Sequence, residues 1–193
     1  GANPQLVRTG ALYHDIGKID NPAFFTENQR GENPHKALTP DLSARIVIEH
    51  VQNGLRRAVK EKLPQIIMDF ITQHHGCGKA KYFFNQAQNA SPDTPIDPEP
   101  YTYPGPNPNS KETSILMMAD ATEAASRSLT DHSDEAISNL VSRIIDSQIA
   151  DGLFKDSPIS FRDVEIIKRT FTERLRTIYH TRIAYPELKK KEE

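Results

Sequence analysis

The chain has 193 residues, and 24 Lys+Arg stand against 26 Asp+Glu for a formal net charge of −2. That length suits one domain, or two small ones, with a sizeable core, while the near-neutral charge disfavours a general nucleic-acid binder, which needs a basic surface. The single Cys excludes an internal disulfide framework or a cysteine-rich zinc site. The chain reads as soluble: it shows neither a membrane-length apolar stretch nor a signal-peptide pattern.

Helical periodicity dominates and no alternating strand is convincing, so the predicted class is all-α. Asn3-Pro4 reads as N-cap and first helical position, with Leu6, Val7 and Leu12 as apolar contacts, and this helix ends near Gly17. Residues 18–38 read as loop. Thr39-Pro40 opens a second helix with Leu42, Ile46, Val47, His50 and Val51 on one face, and Gly54 is expected to interrupt it before a further helix over 55–62. Pro64 opens a helix with Ile66, Ile67, Phe70 and Ile71 inward, closed by His74-His75-Gly76. Further helices are predicted over 79–89, 110–129 and 133–149. Ser160-Phe161-Arg162-Asp163 matches a capping box, with Asp in the place of Glu, and leads a helix to about 180. Residues 186–193 form a charged, solvated tail.

Seven of the fourteen prolines fall between Pro92 and Pro108. Residues 90–109 therefore cannot be helix and make a poor central strand. They are a linker or, with Tyr101 and Tyr103 among them, a loop packed over a site.

Six residues carry candidate chemistry. His14-Asp15 and His74-His75 each end an apolar helix and precede a glycine, a position from which side chains can enter a shared cavity. A His at a helix C-terminus also simply complements the dipole. His50 lies on the apolar face of its helix, as a core residue or a ligand. Asp120 is the one polar member of Ile115–Ala121, where a buried carboxylate needs a metal or a cation such as Arg127. Imidazole with carboxylate and no thiolate suits iron, manganese or another first-row metal. Six such donors exceed the needs of one metal but suit two that share a carboxylate and act on a phosphoryl group. His35, His132 and His180 read as surface residues, though His35 or His132 could border a cleft. Tyr82, Phe83 and Phe84 are consecutive, so at least one packs inward.

The order of these motifs resembles the HD superfamily of metal-dependent phosphohydrolases: His14-Asp15 in LYHDIGK, His50 in ARIVIEHV, His74-His75 in ITQHHG and Asp120 in LMMAD. GALYHDIGKIDNPAFFTENQ, HHGCGKAKYFF, YTYPGPNPNSKET and ADATEAASRSL are most similar to the HD domain of seven-transmembrane HD phosphodiesterases of the PgpH type. The Gly-Tyr-Pro signature of the branch that cleaves cyclic di-GMP is missing. The resemblance implies a single HD helical bundle with the proline-rich loop inserted between helices. It also implies hydrolysis of cyclic di-AMP to pApA by a metal-bound hydroxide. Two divalent transition metals, iron or manganese, are implied. One would be held by His14, Asp15 and Asp120, the other by His50, His74 and His75, with Asp15 bridging. Lys18 becomes a candidate to stabilise phosphate charge, or remains an ordinary loop lysine. Lys111, Arg127, Tyr101 and Tyr103 are candidate substrate contacts, from charge and stacking.

The family carries a further His on a helix upstream of the His-Asp pair. Only thirteen residues precede His14 and none is His, so that helix and the membrane segments are expected to lie outside this chain. The implied setting is the cytoplasmic face of a bacterial inner membrane, with a cyclic dinucleotide as partner and no nucleic-acid polymer. The alternatives are an HD phosphohydrolase acting on cyclic di-GMP, an alarmone or a nucleoside triphosphate, or a nucleotide sensor without turnover.

Overall fold

The computed structural model describes residues 1–179. Seven α-helices carry them: α1 (Pro4–Tyr13), α2 (Pro40–Lys60), α3 (Gln65–Gln73), α4 (Lys81–Ala90), α5 (Lys111–Ser126), α6 (Asp134–Ala150) and α7 (Phe161–Tyr179). Among the described residues the one β pairing is an isolated bridge between Lys79 and Thr102, so the class is all-α as expected. His180 and the tail lie outside the described residues.

Side-chain caps open α1, α5 and α7. The Asn3 side chain accepts from the N–H groups of Gln5 and Leu6, and Pro4 occupies the first turn, where its missing donor costs nothing. Ser110 and Thr113 form a reciprocal capping box at α5, with Thr in the place of Glu. Ser160 Oγ accepts from Asp163 N–H at 3.2 Å while the Asp163 carboxylate accepts from Ser160 N–H at 3.0 Å, the box expected from the sequence. Met117, Met118, Ile137, Val141, Ile145 and Ile167 knit α5, α6 and α7 into one core cluster.

The sequence reading needs correction at several points. α2 runs unbroken through Gly54, since a mid-helix glycine costs only about 1 kcal/mol and packing offsets it. Residues 18–38 are not featureless: short 3₁₀ turns occupy Ile16–Asp20, Pro22–Phe24, Thr26–Asn28 and Pro34–Ala37. Leu12, Leu42 and Ile66, expected to face inward, are exposed among the described residues.

The packing behind Gly54 positions the site. The turn Ile16–Asp20 lies directly on α2. A Cβ on Gly17 would stand 1.8 Å from the His50 carbonyl oxygen and 2.4 Å from Gly54 N, and one on Gly54 would meet Ile71 Cγ2 at 2.8 Å. Backbone touches backbone there, and neither side can yield. Gly17→Ala is therefore expected to destabilise the chain by about 3 kcal/mol, the upper range for overpacking. An unchanged urea midpoint would show that the contact opens at little cost.

Candidate metal centre

Four elements deliver the candidate ligands. His14 caps the C-terminus of α1 and Asp15 follows it, leading into the turn seated on α2. His50 is buried on α2, His74 caps α3 with His75 next, and Asp120 projects from the middle of α5. Their donor atoms form two groups, His50–His74–His75 and His14–Asp15–Asp120, each with its atoms within 4.8 Å of one another.

Asp15 joins the groups. Its Oδ1 lies 3.4 Å from His50 Nε2 and 3.7 Å from His74 Nε2, and its Oδ2 lies 3.1 Å from His14 Nε2. His14 Nε2 is also 3.6 Å from Asp120 Oδ1. That nitrogen is buried and lacks a well-aligned hydrogen-bond partner.

The imidazole tautomers follow from their partners. Nδ1 of His14, His50 and His74 lies 2.9, 2.5 and 2.9 Å from the carbonyl oxygens of Ala11, Val47 and Ile71, each three residues back on its own helix. A carbonyl only accepts, so each Nδ1 carries the proton and each Nε2 turns inward. In neutral rings those Nε2 atoms are bare lone pairs. Two of them, on His50 and His74, face each other at 3.0 Å. Two acceptors at that distance repel unless a cation sits between or beside them. The donor set is nitrogen and oxygen only, and such a set fits first-row divalent metals.

Lys18 Nζ lies 2.7 Å from Asp15 Oδ2 and 2.5 Å from Glu27 Oε1, above the Phe25 ring. Arg127 reaches Glu123 at 2.8 Å and Glu27 at 3.7 Å; it does not neutralise Asp120 by direct contact. Tyr103 stacks on His75, with ring centroids 4.2 Å apart. Three cavities of about 610, 600 and 630 Å³ open around the centre, and Asp120 lines all of them. Lys18 and Arg127 line the first, and Tyr103 the other two.

Two candidate substrate contacts are engaged elsewhere in the fold. Lys111 is turned away to Asp163, 2.7 Å distant at the start of α7. Tyr101 is core: it packs with Ala44 and Phe83 between α2 and α4. His35 lines the third cavity, whereas His132 stacks on Tyr179. Glu27, Phe25 and Asn107 escaped the sequence reading. Phe25 is buried edge-on against His50, and Asn107 Oδ1 accepts from Cys77 N–H at 2.9 Å beside the His pair. All three lie in loops without periodicity, so no local signal marks them.

The family model described as the HD domain matches residues 1–125. The chain belongs to the HD domain family. It is 41% identical, over 192 residues, to the cyclic-di-AMP phosphodiesterase PgpH of Bacillus subtilis, covering 99% of this chain and 27% of that protein. Against PgpH of Listeria monocytogenes it is 40% identical, covering 97% of this chain and 26% of the relative. The chain thus spans about a quarter of the length of the curated relatives it matches. The crystal structure of the L. monocytogenes PgpH HD domain in complex with cyclic-di-AMP superposes with a TM-score of 0.88 at 39% identity, over 93% of this chain and 83% of that one. Membership in the HD domain family implies a divalent metal cofactor, and the two donor groups fit one.

The charges of the HD centre are mutually supported. Burial alone would lower the His14 pKa, but the adjacent Asp120 and Asp15 carboxylates outweigh it and raise it to about 10. Burial opposes ionisation of Asp15 too, yet His14 and His50 hold its carboxyl far below the usual range. Burial, then the neighbouring His50 and His14, lowers His74 to about 3. His75 is lowered likewise, by burial and by His74. Without metal, then, His14 carries a proton where a cation would sit. Linkage gives the pH dependence of that metal-free form. His74 and His75 stay neutral in the fold but charge when unfolded, so their contribution is complete above pH 6.5 and is lost as pH falls below it. His14 contributes fully below 6.5 and loses its contribution as pH rises toward 10. Metal-free protein should therefore be most stable near pH 6.5, with slopes of up to about 1.4 kcal/mol per pH unit for each group. Urea midpoints that stay flat between pH 5 and 8 would refute this.

Proposed function

We propose that the chain is the catalytic HD domain of a larger membrane protein, and that it hydrolyses cyclic di-AMP to pApA at the cytoplasmic face of a bacterial inner membrane. The cofactors in this reading are two divalent transition metals, iron or manganese. His14, Asp15 and Asp120 would hold one, and His50, His74 and His75 the other, with Asp15 available to both. The observation that carries the reading is the Asp15 carboxylate, whose two oxygens face different ligand groups. The identity to the PgpH phosphodiesterases over nearly the whole chain supports the substrate. So does the solved HD domain, which holds cyclic-di-AMP.

When bound, the metals supply a nucleophile at neutral pH and positive charge against the phosphoryl oxygens. The chain's own groups do the rest. The carbonyls of Ala11, Val47 and Ile71 hold the Nδ1 protons of His14, His50 and His74, which leaves those three Nε2 atoms turned inward. Lys18, partly buried between Asp15 and Glu27, presents an ammonium to the phosphate. Arg127 stands on the same cavity wall for the phosphate or sugar edge of the substrate. Tyr103 backs His75 and closes the opposite side.

A side-by-side assay of the manganese- or iron-loaded chain on cyclic di-AMP, cyclic di-GMP, a nucleoside triphosphate and an alarmone tests the substrate. Cyclic di-AMP should be cleaved fastest, with pApA as product, and no cleavage of it would end this reading. Elemental analysis should find two transition metals per chain. Asp15→Ala should drop that to one or none and lower kcat by more than about 100-fold, the most that an outer-shell partner typically costs. An active Asp15→Ala protein with both metals retained would remove Asp15 from the bridge.

A further inference from the structure

Tyr82 and Gln86 lie four residues apart on α4, so their side chains share one face of that helix. Both line the 630 Å³ cavity, whose wall also includes His50 and His75. The Tyr82 ring is 75% exposed. It meets Phe83 edge to face, with ring centroids 5.1 Å apart, and Phe83 is itself buried against His35 at 4.9 Å. Tyr82 also lines the neighbouring 600 Å³ cavity, so it stands on the ridge where two lobes meet over the centre. Gln86 is exposed to the cavity, and among the described residues its amide engages no protein partner.

A metal centre grips phosphate but cannot distinguish one base from another. The base hangs from the far side of the ribose and needs its own surface. Such surfaces are aromatic rings with an open face, because every base has a π-face to stack. An amide beside the ring adds discrimination. It offers one acceptor and one donor, which match the 6-amino group and N7 of adenine. The same edge of guanine presents two acceptors, O6 and N7, and leaves the amide oxygen facing an acceptor.

We propose that Tyr82 and Gln86 form the base-recognition platform of this HD domain: the Tyr82 ring stacks on one purine of the cyclic dinucleotide, and the Gln86 amide reads the 6-amino/N7 edge that marks it as adenine. This rests on the cyclic dinucleotide reading given above. Tyr82 is the affinity element and is indifferent to which purine it meets. Gln86 is the specificity element.

The test uses the manganese-loaded chain with its Tyr82→Ala, Tyr82→Phe, Gln86→Ala and Gln86→Arg variants. KM and kcat are measured on cyclic di-AMP, and calorimetric Kd values are measured for AMP and GMP. Tyr82→Ala should raise KM about fivefold or more, the lower end of what a stacked base contributes, with kcat little changed. Tyr82→Phe, which keeps the ring, should match the parent protein. Gln86→Ala should weaken AMP and leave GMP unchanged. Gln86→Arg, with two donors for O6 and N7, should move the Kd ratio toward GMP. A Tyr82→Ala protein with parental KM overturns the stacking platform. A Gln86→Ala protein with the parental AMP-to-GMP ratio overturns the edge reading. Failure of the parent protein itself to cleave cyclic di-AMP sinks the functional reading instead, and the platform with it.

Discussion

Two close backbone approaches assemble the centre before any ligand is considered. Gly17 sits against the His50 carbonyl with no room for a side chain between them. Asp15 precedes that turn by one residue, so the contact that seats the turn on α2 also carries the Asp15 carboxylate to His50. On the other side, a Cβ on Gly10 would fall 2.4 Å from the Phe70 ring. α1 therefore lies flush on α3, four residues before the end that bears His74. The result is visible in the rings themselves: His14 and His74 meet edge to face at 5.0 Å although sixty residues separate them. Both approaches are steric, so they set the ligand positions without help from the ligands' own charges.

That independence matters because part of the electrostatics opposes the arrangement. The chain gathers four imidazoles and two carboxylates in a space where two Nε2 lone pairs oppose each other at 3.0 Å. A sequence selected for stability alone would relieve that opposition, for example with an apolar residue at His50. Conflict between local cost and global fold is expected where function resides, and a bound cation turns the same repulsion into ligation. The free energy of binding then counts toward the fold. Lys18 shows the same economy on a smaller scale. Burial disfavours its charge, but Asp15 and Glu27 raise its pKa regardless, so the ammonium persists at the wall of the cavity.

What could be read from the sequence was whatever is local. Asn3-Pro4, Ser110 and Ser160–Asp163 announce helix starts because a cap needs only residues within one turn. The candidate pairs stood out because each ends an apolar helix, and Asp120 because it interrupts an apolar run. What was lost depends on chain segments that meet only in the fold. Lys111 looks free in sequence, yet its partner Asp163 arrives from α7, fifty-two residues on. Gly54 looks like a break, and only the seat of Gly17 explains why α2 continues. Glu27 has no pattern around it, and its role appears only when the turn Thr26–Asn28 brings it over Lys18. Tyr101 and Tyr103 look equivalent, but one is core and the other faces the centre.

The proline-rich stretch shows how composition and tertiary contact act together. Prolines deprive residues 92–108 of donors, so the segment builds no α-helix and only one 3₁₀ turn, Glu99–Tyr101. Several of the polar groups in and beside it go to the chain around the His pair. Tyr103 N–H donates to Gly78 O, the Tyr101 carbonyl accepts from Ala80 N–H, Asn107 accepts from Cys77 N–H, and Asn109 N–H donates to Gln73 Oε1. Four bonds thus run alongside residues 73–80 and fasten the loop across the exit of α3. A flexible linker would leave those groups to water. Here the fastening stacks the Tyr103 ring on His75, covering one face of a ring that also packs against His74 and His50. The loop is therefore part of the centre, and its rigidity is inherited by the one histidine whose ring plane neither its helix nor its carbonyl contacts determine.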